Sequence, residues 1–189
     1  MGYGANLLLN NSAEDGNLDD WTVKQVDAAD CVTIEDNIAS DYLLRPIVDS
    51  RSQVFDRAEL YGTGATGTHH FLLSSTCWMY QDVVASGNLS YRIEVVFQIP
   101  TPQDAWDANV RGWVTMSFSY LDGSTDIFMI PCVIGVTYTG RSIANFWLYA
   151  VRDCPVDTDK TLSSIRVRAE TASFTGGLMI DYINLKEET

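Results

Sequence analysis

Ser90-Tyr91-Arg92-Ile93-Glu94-Val95-Val96-Phe97-Gln98-Ile99 sets Tyr91, Ile93, Val95 and Phe97 on one side of an extended chain. A period of two belongs to a strand that buries one face, because successive side chains point to opposite faces of a sheet. The same period recurs outward from this stretch. Trp113 to Tyr120 alternates Trp113, Thr115, Ser117 and Ser119 with Val114, Met116, Phe118 and Tyr120. Leu162, Ile165 and Val167 are separated by polar residues that include Arg166, and Leu178, Ile180 and Tyr182 alternate toward the end. Turn chemistry lies between these runs, at Ser86-Gly87-Asn88, Asp122-Gly123-Ser124, Thr139-Gly140-Arg141 and Thr175-Gly176-Gly177. Short alternating strands joined by Gly, Asn and Asp predict an all-β protein, an antiparallel β-sandwich or barrel. The turn spacing predicts about eight to ten strands, with under about a tenth of the residues helical. Residues 36 to 60 hold at most one short helix or turn, which Pro46 limits.

The length of 189 residues suits a single domain, 1–189, with a substantial core. Apolar residues make up 46% and charged residues 20%, which excludes intrinsic disorder. With 12 Lys+Arg against 25 Asp+Glu the net charge is −13, which argues against a nucleic-acid partner, because phosphates are met by clustered basic residues. The longest apolar run, Phe128 to Val136, contains Pro131 and is far shorter than the roughly 20 residues of a membrane helix. Met1-Gly2-Tyr3-Gly4-Ala5-Asn6 lacks the basic start of a signal peptide, so the expectation is a complete cytosolic product or a mature fragment that lost its leader. Cys31, Cys77, Cys132 and Cys154 form no C-x-x-C pair, and free buried thiols are expected.

Several catalytic motifs fail on context. Gly62-Thr63-Gly64-Ala65-Thr66-Gly67 matches G-x-G-x-x-G, but the adjoining Thr68-His69-His70-Phe71-Leu72-Leu73 reads as a strand where a dinucleotide site needs a helix. His69 and His70 are adjacent, so a strand directs them to opposite faces and they cannot share a metal. A nucleophile elbow, G-x-S-x-G, is absent. Asp104 and Asp107 flank Trp106 in one loop, a minor candidate for hydrolysis. The reading is a protein that is not an enzyme.

The two ends carry the sharpest pattern. Asn6-Leu7-Leu8-Leu9-Asn10, Glu14-Asp15-Gly16 and Asp20-Trp21 resemble the opening of the carbohydrate-binding-module superfamily of jelly rolls (galactose-binding-like sandwiches). Gly177-Leu178-Met179-Ile180-Asp181-Tyr182-Ile183-Asn184-Leu185 is similar to that family's last strand. Met79-Tyr80-Gln81-Asp82-Val83, then Gly87-Asn88-Leu89-Ser90-Tyr91, is similar to its middle strand pair. Two departures stand out: Ala13 replaces the aromatic residue before Glu14, and residues 35 to 60 look like an insertion. The resemblance implies a jelly-roll fold with Trp21 packed inside. It also implies a structural Ca²⁺ held by Glu14 and Asp181, where first and last strands lie side by side, with backbone carbonyls completing the shell. The alternative for the same acids is a turn cap at Glu14 and a Lys or backbone N–H partner for Asp181.

Aromatic residues supply the candidate ligand site. Trp78 and Tyr80 share one face of a strand, Trp147 and Tyr149 share another, Trp106 sits in the polar loop Pro102 to Asn109, and Trp113 opens the next strand. An exposed ring stacks against the C–H face of a sugar while Gln81, Asp82 or Asn145 takes the hydroxyls. The expected ligand-binding set is Trp78, Tyr80, Gln81, Trp106 and Trp147. The functional reading is a non-catalytic virion structural or decoration protein of a tailed bacteriophage. It assembles in the host cytoplasm with capsid or tail proteins and other copies of itself, and cell-surface glycans are its candidate ligands. Two alternatives stay open: a carbohydrate-binding module of a secreted polysaccharide-degrading enzyme, and a glycoside hydrolase or lyase on the same fold.

Overall fold

The computed structural model describes residues 2–25, 32–36, 45–46, 69–73, 77–85, 90–98, 110–133, 148–171 and 178–189. Twelve strands occur among these residues. The first four are short: β1 (Tyr3–Asn6), β2 (Thr22–Gln25), β3 (Val32–Asp36) and β4 (Arg45–Pro46). Next come β5 (His69–Leu73), β6 (Cys77–Val84), β7 (Tyr91–Gln98) and β8 (Val110–Tyr120). The chain ends with β9 (Thr125–Val133), β10 (Leu148–Cys154), β11 (Leu162–Thr171) and β12 (Leu178–Glu188). No helix occurs among the described residues. Of the segment expected to hold a short helix or turn, Arg45 and Pro46 form β4, Asp36 ends β3, and the rest lies outside the described residues.

The strands form two sheets, in the sandwich expected from the period-two runs. One is seven-stranded, in the order β3-β5-β12-β7-β10-β4, with β1 beside β12; the other is five-stranded, in the order β2-β6-β11-β8-β9. Every pairing is antiparallel except β4 with β10. The long β12 pairs with β7 along one edge, and with β5 and β1 at opposite ends of the other. First and last strands therefore lie side by side.

Between the sheets lie the residues that the alternation selects. Tyr91, Ile93, Val95 and Phe97 of β7 face Val114, Met116 and Phe118 of β8 and Ile165, Val167 and Ala169 of β11, all fully buried or nearly so. Trp21 is buried as expected and meets Phe71 edge-on at 5.8 Å. Phe118 meets Tyr91 and Phe128 edge-on at 5.6 and 5.3 Å, the arrangement that brings a positive ring edge to a negative ring face. Arg152, on the core side of β10, reaches across the open side of the sandwich. Its Nη1 donates to the Met129 carbonyl of β9, and its guanidinium lies 5.5 Å from the Phe128 centroid. Among the described residues β9 is the last strand of its sheet, and this contact covers part of its edge.

Two expectations change. The alternation Leu178, Ile180, Tyr182 does not continue, because a bulge at Asp181 shifts the register between Ile180 and Tyr182. Beyond it Ile183 and Leu185 point into the core, while Tyr182 joins Val96 on the opposite face. The cysteines are not all free either. Cys132 and Cys154 are free and buried, and burial pushes the Cys154 thiol up to about 12. Cys77, by contrast, is disulfide-bonded. Cys31 lies outside the described residues.

Candidate functional site

The outer faces of the two sheets differ. On the seven-stranded sheet, Glu94, Val96, Val151, Asp181 and Tyr182 point away from the core and are nonetheless buried. Glu94 is tied in by Lys186 Nζ at 2.8 Å and Asn184 Nδ2 at 3.3 Å. On the five-stranded sheet the outer side chains are, among the described residues, half-buried or exposed, except Thr115, which is 8% exposed. They align in rows across the strands. Trp78 of β6 stands opposite Glu170 of β11, which stands opposite Trp113 of β8 and then Pro131 of β9. The next rows are Tyr80, Arg168, Thr115, Met129 and then Asp82, Arg166, Ser117, Ile127.

The ring pair expected from the sequence is therefore on this outer face, but its surroundings were not foreseen. The Arg166 guanidinium lies 4.1 Å from the Tyr80 centroid and that of Arg168 lies 4.9 Å from Trp78. Asp82 accepts two hydrogen bonds from Arg166, from Nε at 2.7 Å and Nη2 at 2.8 Å. Those bonds hold the Asp82 carboxyl below its ordinary range and raise Arg166. Arg168 pairs with Glu170 through Nη2, while its buried Nε has no hydrogen-bond partner among the described residues. Planar guanidinium groups suit this double role, stacking on a ring and forking onto a carboxylate. Arg166, Arg168 and Glu170 are the residues that sequence reasoning missed, and Trp113 was named among the aromatics but left out of the expected set. Their signal was present in parity alone: each is an outward position on an alternating strand.

Gln81 lies elsewhere. It points inward from β6 and is 8% exposed. Its Nε2 donates to the carbonyls of Leu9 at 3.1 Å and Asp20 at 3.0 Å, and its Oε1 accepts from Leu9 N at 2.8 Å. The side chain is committed to the N-terminal loop, which removes it from the ligand-facing set. Trp106 and Trp147, with Asn145, Asp104 and Asp107, lie outside the described residues.

At the expected Ca²⁺ corner neither acid is free. Glu14 turns to β5: Oε1 accepts from His69 N at 2.9 Å, and Oε2 lies 3.8 Å from His69 Nδ1. Asp181 is buried at the β12 bulge. The pairing of β12 with β5 ends one residue before it, at Ile180 with Phe71. Among the described residues no group of three or more His, Cys, Asp or Glu side chains could hold a metal. Ca²⁺ takes six to eight oxygens. These two acids, one already engaged by a backbone N–H, supply at most four of them.

No family model matches the chain, and no curated protein matches its sequence. Solved structures do match its shape. The enzymatically active domain of tailspike protein 4 of bacteriophage CBA120 is similar at TM-score 0.60 and 14% identity, over 97% of this chain. This chain spans only 22% of the length of that one. TmCBM61, solved in complex with beta-1,4-galactotriose, is similar at TM-score 0.54 and 14% identity, over 98% of this chain and 100% of that one. The CBM22-1 xylan-binding domain of Paenibacillus barcinonensis Xyn10C gives TM-score 0.51 and 11% identity, over 99% and 97%. At such identities the likeness concerns the fold alone, a two-sheet β-sandwich similar to that of these carbohydrate-binding modules.

Proposed function

We propose that this domain recognises glycans without catalysis, through the outer face of the five-stranded sheet. One observation carries the reading: among the described residues, the outer face gathers Tyr80, Trp78 and Trp113, all half-buried, with Asp82, Arg166, Arg168 and Glu170. Apolar surface and paired hydrogen-bonding groups side by side match the two characters of a sugar ring. Hydrolysis is disfavoured on the same residues. A glycosidase needs one carboxylic acid that keeps its proton, so its pKa is raised; Asp82 is shifted the opposite way by Arg166.

The likeness to a tailspike domain favours one setting for such a face, a bacteriophage particle bound to host surface glycans, with tail or capsid proteins as neighbours. The runner-up is a module of a secreted polysaccharide-degrading enzyme. A disulfide at Cys77 suits either destination, since particle surfaces and secreted proteins meet oxidising conditions. The test is an array of bacterial and plant glycans probed with monomer and with a tetravalent display. Monomer should bind weakly, and display should raise retention by about 10²-fold or more through effective concentration alone. Equal absence of binding in both formats sinks the glycan reading. Mass spectrometry of purified particles, or its failure to find this chain there, separates the two settings.

A further inference from the structure

We infer that Cys77 is bonded to Cys31, and that this disulfide is a redox-dependent staple joining the two sheets where the chain crosses between them. Elimination names the partner. The chain has four cysteines, Cys132 and Cys154 are free, and Cys77 is disulfide-bonded, which leaves Cys31. Strand pairing leads to the same two positions independently. β2 and β6 belong to the five-stranded sheet, β3 and β5 to the seven-stranded one. The chain therefore crosses from sheet to sheet twice, between Gln25 and Val32 and again between Leu73 and Cys77. Both crossings share their end points, because Gln25 stands opposite Cys77 and Val32 stands opposite Leu73. Cys31 directly precedes Val32. Packed sheets lie about 10 Å apart and a disulfide spans Cα atoms about 4.4–6.8 Å apart, so one residue beyond β3 is within reach of Cys77. β3 and β6 are in contact across that gap.

Position gives the bond its effect. Among the described residues β2 and β3 are the end strands of their sheets, with four and five residues each. So few pairing bonds hold an edge weakly. Cys77 is fully buried and firmly seated: its N–H donates to Thr171 Oγ1 at 3.0 Å, and its carbonyl accepts from the same hydroxyl at 3.3 Å. The bond thus anchors the loose edge to the β6–β11 pair. It also closes a loop that contains β3, β4, β5 and the 35 to 60 segment, and so removes much of that segment's freedom in the unfolded chain. Formation converts two thiols into one S–S bond. The two protons and two electrons pass to a disulfide oxidant, which leaves as two thiols. Thiol pools of a cytosol hold the pair reduced, so the edge gains its staple on release or export. Cys132 and Cys154 stay out of the exchange, because burial raises their thiols and the thiolate is the reacting form.

The test begins with protein refolded in a glutathione redox buffer, alkylated in denaturant and digested with trypsin. Mass spectrometry should find the peptide Gln25–Arg51 linked to Ala58–Arg92, with Cys132 and Cys154 alkylated. Thermal melting then reads the staple. Dithiothreitol should lower the melting temperature of the oxidised wild type by about 8–16 °C, as chain entropy gives for a loop of this length. Cys31→Ser should melt at the reduced wild-type temperature with or without reductant, and Cys132→Ser should keep the full shift. Four alkylated cysteines after oxidative refolding, or a bond from Cys77 to Cys132 or Cys154, overturns the pairing. A bonded pair whose reduction leaves the melting temperature unchanged overturns the staple. An equal shift in Cys31→Ser and wild type does the same. Should Cys31→Ser not fold, the peptide map and the wild-type shift decide by themselves.

Discussion

Gln81 separates a structural role from a binding role in one substitution. Its amide makes three hydrogen bonds to backbone groups of the N-terminal loop, two to Leu9 and one to Asp20. Gln81→Ala removes all three and leaves a cavity beneath the loop. At about 1 kcal/mol net for each bond, the loss is about 3 kcal/mol. For a chain of this length each kcal/mol moves the melting temperature by about 2–4 °C, so a fall of about 6–12 °C is expected. Gln81→Glu should be worse above pH 5, because a carboxylate then faces the carbonyls of Leu9 and Asp20 where an amide N–H₂ stood. Differential scanning fluorimetry at pH 7, with retardation in polysaccharide-containing native gels measured on the same samples at 15 °C, reads both properties. Retention of glycan binding by the folded fraction is the expected companion result. A variant that melts like the wild type but loses retardation would refute the clamp and return Gln81 to the ligand-facing set.

Three further outcomes rest on the geometry. Gly112→Ala should destabilise by about 1–3 kcal/mol or more, because an added Cβ would lie 2.4 Å from the Glu170 carbonyl of the paired strand, and a urea titration reads it. Asp153 is partly buried, which raises its pKa, but the hydrogen bonds from Arg92 and Tyr3 prevail and lower it overall. Its stabilisation is therefore present above the ordinary carboxylate range and lost as pH falls through the lowered value, so the melting-temperature gap to Asp153→Asn should close between pH 5 and 2. Excess EDTA should leave the melting temperature unchanged; a fall that Ca²⁺ reverses would put a cation back between Glu14 and Asp181.

How much the sequence makes legible depends on the range of the interactions concerned. Alternation in β7 and β8 is local, so Tyr91, Ile93, Val95, Phe97, Val114, Met116 and Phe118 could be assigned to the core, and all are there. Strands of two to five residues, such as β1 to β4, are too short to display a period, which is why the expected strand number fell below twelve. The bulge at Asp181 is invisible to a two-residue rule, since one extra residue inverts every face after it. Trp78 and Tyr80 were legible as a pair on one face. That Arg168 and Arg166 lie over their rings was not, because the register of β6 against β11 joins residues more than 80 positions apart.

The choice between the two outer faces rests on the same physics. A strand covered on both sides can carry apolar residues without alternation, and β12 does so: from Leu178 to Leu185 only Asp181 and Asn184 interrupt an apolar run. Its outer residues Tyr182 and Asp181 are buried, so that sheet has little free surface there to offer a ligand. β8 alternates strictly, Val114, Met116 and Phe118 inward against Thr115, Ser117 and Ser119 outward, the pattern of a sheet with one free side. Ser117 and Ser119 on that side are small and poorly hydrophobic, so they contribute little to the fold, whereas Thr115 is buried. Their neighbours Ile127 and Met129 are exposed apolar groups, which solvent disfavours. Replacing Ile127 and Met129 together by Thr should therefore leave the melting temperature within about 2 °C of the wild type, as expected of exposed positions. The same change should remove polysaccharide retardation. Destabilisation with binding intact would mean that Ile127 and Met129 serve the fold alone.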